Sequence, residues 1–243
     1  MTDPVVRFSK VSKSFGSVAV LREVDFTLEP RQFLGLAGLN GAGKTTLIKC
    51  LLDFCNIDAG DIRIHGVACR RPESRSRLAF LPERFTPPYF LTGREFVRTM
   101  LNLGHESYDE QAVRSMFGDL DLEPAALDRP VRLYSKGMTQ KLGLAACFLS
   151  ARDLYVLDEP MSGLDPSARA RVKAILARLR GEGRTLLLTS HSLADIEEIC
   201  DHMAILHGGR FAFSGAPQAL RERFGERSLE NAFLQCIENP EHG

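Results

Sequence analysis

Eight consecutive residues, 38–45, limit what this chain can fold into more than any other segment. They read Gly-Leu-Asn-Gly-Ala-Gly-Lys-Thr and match the pattern G-x-x-x-x-G-K-[ST] at every fixed position. An apolar run over residues 33–37 precedes them, and residues 44–52, which are rich in helix formers, follow. A strand, a glycine loop and a helix in this order form a phosphate-binding loop. The alternative is an ordinary glycine-rich turn.

The residue types of this loop suit a nucleotide and its metal ion. Glycine backbone and the helix N-terminus direct N–H groups at phosphate oxygens. The Lys44 ammonium is expected to reach the β- and γ-phosphates and to act in catalysis, while the Thr45 hydroxyl suits Mg²⁺. The expected cofactors are therefore ATP and Mg²⁺. The predicted nucleotide contacts of the loop are Gly38, Leu39, Asn40, Gly41, Ala42, Gly43, Lys44, Thr45 and Thr46.

Two adjacent carboxylates follow a second apolar strand. Residues 154–157 read Leu-Tyr-Val-Leu and lead into Asp158 and Glu159. Ligands of open α/β sheets bind at the carboxyl ends of the strands. Asp158 is accordingly predicted to hold Mg²⁺ through water, and Glu159 to orient or deprotonate the attacking water. A solvated strand end is the alternative interpretation.

The chain changes character twice along its length. Residues 5–8, 18–21 and 24–28 alternate apolar and polar side chains like strands, whereas residues 85–149 have the apolar spacing of helices. Residues 154–207 then alternate between apolar strands and helices. This last pattern predicts a mostly parallel sheet with helices packed on it.

Local signals mark some element ends. Thr92 and Ser107 each precede a glutamate by three residues, which is the spacing of a capping box at a helix N-terminus. Gly181 is predicted to cap the C-terminus of a helix over residues 168–180. The glycine pair 208–209 predicts a hairpin turn.

Composition excludes several classes of protein. Lysine plus arginine and aspartate plus glutamate both count 31, so no global basic field indicates a nucleic-acid partner. The longest nearly continuous apolar stretch, residues 142–151, is far shorter than the roughly 20 residues that span a bilayer. The N-terminus does not resemble a secretory signal, so we expect a cytoplasmic protein. Six cysteines lack a C-x-x-C pair, which favours reduced, mostly buried thiols.

A short motif between the two candidate sites makes the interpretation specific. Residues 134–138 read Tyr-Ser-Lys-Gly-Met, about 20 residues before the acidic pair. They resemble the signature of ABC ATPases, whose usual form is Leu-Ser-Gly-Gly-Gln, in a variant found in exporter subunits. The motif retains Ser135 and Gly137, the positions that in this family face the γ-phosphate. It departs from the usual form at Lys136 and Met138.

Other segments follow in the order of the same family. Asp165 ends a Met-Ser-Gly-Leu-Asp segment similar to the loop that crosses between two ABC subunits. His191 matches the switch histidine that contacts the γ-phosphate, with a structural histidine as the alternative. Phe15 matches the aromatic that stacks on adenine, or else it is a core residue. Glu83 stands where the family often has glutamine, and is expected to approach Mg²⁺ or the attacking water.

The resemblance implies a single ABC nucleotide-binding domain over residues 1–243. Its fold would be α/β, a P-loop NTPase core with a mostly parallel sheet, an N-terminal antiparallel β subdomain and an inserted helical subdomain at about 85–150, followed by a short tail at 225–243. The implied partners are a membrane-spanning transporter subunit on a separate chain and a second ATP-binding subunit, most simply a homodimer. The implied location is the cytoplasmic face of the cell membrane.

The signature variant at residues 134–138 and the tail sequence together lead to export as the expected function. The apolar loop 85–91 is interpreted as a docking surface for the membrane subunit, with a locally folded loop as the alternative. The tail sequence 228–234 resembles exporter-subunit tails. Alternatives are an importer subunit, a soluble ABC ATPase of translation, repair or chromosome organisation, and a nucleotide-binding scaffold without hydrolysis. The cargo is not encoded in this chain.

Overall fold

A computed structural model describes residues 3–239 and contains two sheets. The first is four-stranded and antiparallel, with the order β2-β1-β4-β5. Its strands are β1 Val6–Phe15, β2 Val18–Leu28, β4 Ala59–Ile64 and β5 Val67–Ala68. The second is six-stranded, with the order β10-β9-β3-β8-β7-β6, and is parallel except for β10. Its strands are β3 Phe33–Ala37, β6 Leu78–Leu81, β7 Leu154–Asp158, β8 Thr185–Thr189, β9 His202–His207 and β10 Arg210–Gly215.

The central strands of the second sheet are the most deeply buried part of the fold. Every residue of β3, β7 and β8 is buried, as expected for parallel strands covered on both faces. Strand β8 lies between β3 and β7, so the carboxyl ends of the three strands are adjacent. Thr189 at the end of β8 pairs in register with Leu36 on one side and Asp158 on the other. The phosphate-binding loop and the acidic pair therefore emerge from the same edge of the sheet.

Helices surround the second sheet and form two apolar cores. They are α1 Lys44–Leu51, α2 Gly93–Leu103, α3 Glu110–Asp119, α4 Lys136–Leu149, α5 Pro166–Gly181, α6 Leu193–Ile199, α7 Pro217–Phe224 and α8 Leu229–Glu238, with short 3-10 segments at Pro72–Arg75, Pro124–Asp128 and Val131–Leu133. One core joins α1 to both sheets, and the other joins the remaining helices to the opposite face. None of the helices within residues 3–239 has the length and apolar content needed to cross a bilayer.

The helical lobe lies between β6 and β7 and contains one predicted capping box. Thr92 caps α2: the Glu95 N–H donates to its hydroxyl at 3.2 Å, and its own N–H donates to the Glu95 carboxylate at 2.8 Å. The box predicted at Ser107 is wrong. Asp109 caps α3 instead and accepts from the Gln111 N–H at 2.8 Å. An aspartate directly before the helix is at least as good a cap as the earlier serine.

Several other local predictions are refined. Strand β1 continues beyond residue 8, and the two strands predicted at 18–21 and 24–28 are one strand, β2. Gly181 lies inside α5; the left-handed residue after the helix is Gly183, with φ 74°. The glycine pair 208–209 does connect β9 and β10. All six cysteines are free, and five are buried. In the predicted tail, α8 buries Phe233 and residues 240–243 lie outside the described part.

Candidate nucleotide-binding site

The phosphate-binding loop is shaped by close approaches that only glycine permits. A Cβ at Gly38 would lie 2.5 Å from the carbonyl oxygen of Leu206. Gly43 has φ 105°, and a Cβ there would lie 3.0 Å from a methyl carbon of Val20. Gly43 is also the N-cap of α1 and supplies no side-chain cap. The N–H groups of the first turn of α1 therefore remain available to an anion.

Lys44 is the cation of this loop. Its Nζ donates to the carbonyl oxygens of Gly38 at 2.6 Å and Leu39 at 3.2 Å, and the residue is only 8% exposed. Burial lowers the pKa of the Lys44 ammonium, and the carboxylates of Glu159 and Asp158 oppose this shift. The lysine is thus held at the loop beside the acidic pair.

The acidic pair is buried at the end of β7. Asp158 is 4% exposed and its Oδ1 accepts from the Thr189 hydroxyl at 2.6 Å. Glu159 is 8% exposed and adopts a left-handed backbone with φ 50°, and its N–H donates to the same hydroxyl at 2.9 Å. Burial raises the pKa of both carboxyls. Such elevation by burial is typical of functional carboxylates.

His191 contacts one side of the Glu159 carboxylate. Its backbone N–H donates to Oε2 at 3.3 Å, and its Nε2 lies 3.5 Å from Oε1. Within the described residues, the buried Oε1 has no hydrogen-bond partner. The His191 side chain is more than half exposed. The carboxylate therefore has Oε2 held by a hydrogen bond, whereas Oε1 has only the longer contact to His191 Nε2.

One cleft of about 460 Å³ brings most predicted residues together. It is lined by Phe15, Val20, Asn40, Gly41, Ala42, Gly43, Lys44, Thr45, Thr46, Glu83, Asp158, Glu159 and His191. Phe15 is 53% exposed, so its ring is accessible to a ligand. Gly38 and Leu39 do not line the cleft; their carbonyl groups hold Lys44.

Lys13 and Asp58 lie beside the exposed ring of Phe15. The Lys13 Nζ lies 5.2 Å from the ring centroid and donates to Asp58 at 2.9 Å. Asp58 also accepts from the Ser14 N–H at 2.6 Å. These contacts hold the end of β1 at the cleft.

The signature residues lie elsewhere on the surface. Ser135 caps α4 by accepting from the Met138 N–H at 3.2 Å, and Asp165 caps α5 by accepting from the Ala168 N–H at 2.9 Å. Gly137 lies close to the segment before α5, because a Cβ on it would be 3.6 Å from the Gly163 carbonyl oxygen. Neither Ser135, Gly137 nor Asp165 lines the cleft of its own chain.

The oxygen donors in the cleft fit Mg²⁺ bound together with a nucleotide. Thr45 and Asp158 offer a hydroxyl and a carboxylate, the hard donors that Mg²⁺ prefers, and Glu83 adds a second carboxylate nearby. Residues 3–239 contain no cluster of three or more His, Cys, Asp or Glu able to hold a metal alone. Mg²⁺ does not require one, because it usually binds one or two protein ligands together with phosphate oxygens and water.

Sequence reasoning did not assign two residues of the site. Val20 lies in β2 and reaches the cleft only because the first sheet folds against the loop. Thr189 is fully buried and joins both carboxylate residues. Its one sequence signal is a polar residue that ends an apolar strand.

Comparison with known proteins identifies one family and relatives that are named ATP-binding proteins. A sequence profile of the ABC transporter family matches residues 21–162. An uncharacterized ABC transporter ATP-binding protein of Synechocystis sp. is 36% identical over 203 residues, covering 82% of this chain and 57% of that protein. The Nod factor export ATP-binding protein I of Sinorhizobium fredii is 34% identical, and the match covers 90% of this chain and 65% of that protein. The chain spans less than two thirds of both relatives. The ABC-type transporter ATP-binding protein EcsA of Bacillus subtilis is 34% identical, and the match covers 89% of this chain and 90% of that protein.

Solved structures agree with the fold. The ATP binding subunit of an ABC transporter superposes with a TM-score of 0.89 at 30% identity, covering 96% of this chain and 99% of that one. A bacterial Atm1-family ABC exporter with ATP bound gives a TM-score of 0.83 at 19% identity, covering 96% of this chain and 41% of that one. The second likeness concerns the fold alone.

Proposed function

This chain belongs to the ABC transporter family as one of its ATP-binding domains, and on that premise we propose that it hydrolyses Mg-ATP to power export through a membrane-spanning subunit on a separate chain. The observation that carries the proposal is the cleft described above. It combines an anion-binding helix N-terminus, a buried lysine and two buried carboxylates. The subunit itself would remain at the cytoplasmic face of the membrane.

Each residue of the cleft has a distinct proposed part in hydrolysis. The loop N–H groups and Lys44 bind the phosphates, and Phe15 stacks on adenine. Thr45 and Asp158, with Glu83 nearby, would hold Mg²⁺, and the ion would supply positive charge to the phosphate oxygens. Glu159 orients the attacking water and accepts its proton through Oε1, which has no hydrogen bond within the described residues.

We infer that the complete site requires a second copy of the chain. Ser135 is exposed and Gly137 is partly buried, and neither lines the cleft that contains Lys44. An antiparallel pair of subunits would place each signature on the partner's nucleotide, where Ser135, Gly137 and the partner's switch histidine hold the γ-phosphate. Asp165 lies on the neighbouring segment and would cross the same interface. ATP would then stabilise the dimer, since it binds the closed form in preference to separate subunits.

A groove beside the helical lobe supports docking of a membrane partner. It occupies about 760 Å³ between β6, α2 and α4, and its apolar lining includes Leu81, Phe85 and Met100. The nearby Tyr89 and Phe90 are 70% and 68% exposed and contact each other edge to face. Pro87, which the sequence analysis also placed in the exposed loop, is buried. An apolar surface of this kind is typical of an interaction site.

The direction of transport is proposed from similarity and from the tail. Relatives of this chain in Sinorhizobium fredii and in Burkholderia lata are named Nod factor export ATP-binding proteins. Purification of the membrane protein that binds this chain, followed by reconstitution in vesicles, tests the proposal directly. ATP added on the side of this subunit should move cargo to the opposite side. Movement toward the ATP side would identify an importer.

The shared-site part of the proposal is tested with Glu159→Gln, which retains the shape of the side chain but removes the base. At micromolar concentration with Mg-ATP, we expect this variant to accumulate as a dimer on a sizing column and to return to monomer with ADP. Adding Ser135→Arg should abolish the dimer by blocking the partner's γ-phosphate site. A monomer with ATP, both alone and in the partner-bound complex, would contradict the shared site.

A further inference from the structure

Thr189 occupies the centre of the site without lining the cleft. It is 0% exposed and pairs in register with Asp158 across the β7–β8 ladder. Strand β8 separates β3, which leads to the phosphate-binding loop, from β7, which leads to the acidic pair. No other side chain in the described part of the chain forms a hydrogen bond to both members of that pair.

The hydrogen bonds of Thr189 have a defined direction. The Glu159 N–H can only donate, so at 2.9 Å the Thr189 oxygen accepts from it. The hydroxyl proton is then free to donate to Oδ1 of Asp158 at 2.6 Å. Among the described residues this is the only hydrogen bond to the Asp158 side chain. One hydroxyl thereby fixes Oδ1, while Oδ2 accepts no hydrogen bond from residues 3–239.

The same hydroxyl restrains an unfavourable backbone. Glu159 has φ 50°, a left-handed conformation that is costly for a residue with a branched or long side chain. The bond from its N–H to β8 ties this peptide to the neighbouring strand. The conformation determines where the Glu159 side chain enters the cleft.

We propose that Thr189 is a positioning residue for ATP hydrolysis, which orients the Asp158 carboxylate for the Mg²⁺ of Mg-ATP and fixes the backbone from which Glu159 projects. The inference rests on the proposed roles of those two acids. It requires the hydroxyl itself, and a methyl group of the same size cannot replace it, because valine neither accepts from Glu159 nor donates to Asp158.

The test compares Thr189→Val, which is nearly isosteric, with Thr189→Ser, which keeps the hydroxyl. For Thr189→Val we expect kcat to fall about 10- to 100-fold and the Mg²⁺ concentration for half-maximal activity to rise about tenfold, the usual effect of losing a residue that orients a metal ligand. At saturating Mg²⁺, KM for ATP should rise by no more than the Mg²⁺ requirement does, because the phosphate contacts are unchanged and only the contribution of Mg²⁺ to binding is weakened. Thr189→Ser should restore both quantities.

A binding measurement supplies a readout that does not depend on turnover. With a fluorescent ATP analogue in EDTA, Thr189→Val should bind like the wild type, whereas the gain in affinity on adding Mg²⁺ should shrink. Thr185→Val is a matched control at the other end of β8, where the Thr185 hydroxyl is also buried and accepts from the Arg31 N–H. It should leave kcat and the Mg²⁺ dependence unchanged.

Each outcome decides the proposal. Wild-type kcat and Mg²⁺ dependence in Thr189→Val overturn it, and so does loss of analogue binding in EDTA, which would indicate a purely structural role. If Thr189→Val does not fold, Thr189→Ala must produce the same pattern, which is normal analogue binding in EDTA with a lower kcat and a weaker dependence on Mg²⁺. Glu159→Gln in parallel distinguishes the failures: normal hydrolysis there overturns the proposed function, whereas a dead Glu159→Gln with a fully active Thr189→Val overturns only the role of Thr189.

Discussion

Glu159→Gln is expected to make the nucleotide-free protein more stable at neutral pH, even though it should stop hydrolysis. The Glu159 side chain is buried, its Oε1 has no hydrogen-bond partner within the described residues, and burial raises its pKa. Holding this carboxylate ionised therefore costs folding free energy. The neutral amide avoids the charge-burial part of that cost.

The magnitude follows from the surroundings of the carboxylate. A buried polar group without a partner costs about 1–3 kcal/mol, and more when it is charged. Lys44 and His191 offset part of this cost, because both lower the pKa of Glu159. The left-handed backbone at residue 159 is present in the wild type and in Glu159→Gln, so its energetic cost cancels in the comparison. We expect a net gain of about 1–2 kcal/mol, which for a domain of this size raises Tm by about 2–8 °C.

The assay is thermal or urea unfolding in EDTA without nucleotide, repeated across pH. The folded-state pKa of Glu159 lies above its ordinary value of 4.5, so its contribution to stability is complete below that value and is lost as pH rises through the folded pKa. The advantage of Glu159→Gln should thus be close to zero near pH 4 and largest at neutral pH. The exposed Glu73→Gln serves as control and should change stability by less than about 0.5 kcal/mol. An equal or lower stability of Glu159→Gln at neutral pH, or an advantage independent of pH, would refute the reasoning.

Three further changes test separate parts of the site. Lys44→Ala should weaken Mg-ATP binding by about 1.5–3 kcal/mol, because a charge-assisted contact to phosphate is lost; unchanged affinity and turnover would exclude the phosphate-loop assignment. Phe15→Ala should lower the affinity for ATP about five- to thirtyfold, because the stacking contact is lost, while kcat changes little. An effect on kcat alone would make Phe15 a structural residue. Replacing Tyr89 and Phe90 by serine should leave ATP binding by the isolated chain intact but reduce recovery of the membrane partner in a pull-down; wild-type recovery would count against the docking surface.

The sequence alone was sufficient for the parts of the fold that depend on local chemistry. The eight-residue loop and the apolar runs before it and before Asp158 determined β3, α1 and β7, because glycine geometry and continuous burial leave few alternatives. The capping box at Thr92 was confirmed because both of its bonds lie within four residues. Ser107 failed as a cap because Asp109, two residues later, directly precedes the helix and accepts from its first N–H groups.

Contacts between distant segments were not predictable in the same way. Val20 and Thr189 reach the site through the packing of the first sheet on the loop and through strand order, and neither relation is encoded in spacing along the chain. Pro87 was expected in an exposed loop and is buried, whereas its neighbours Thr86 and Pro88 and the aromatic pair Tyr89 and Phe90 are exposed. The long strands β1 and β2 also exceed their apolar patterns, since each pairs with a long neighbour.

Helix α4 is hydrogen-bonded to the residue that directly follows the acidic pair of its own chain. It begins at the signature, runs 14 residues, and its buried Gln140 donates to the Pro160 carbonyl at 3.0 Å, directly after Glu159. At its N-terminus, Lys136 packs on Gly163 of the loop before α5. In the proposed dimer, the helix whose N-terminal signature contacts the partner's nucleotide is also hydrogen-bonded next to Glu159, the proposed catalytic base of its own chain. Hydrolysis at one nucleotide site would then be coupled to the other site, because α4 connects the signature that contacts one γ-phosphate to the acidic pair that acts on the other.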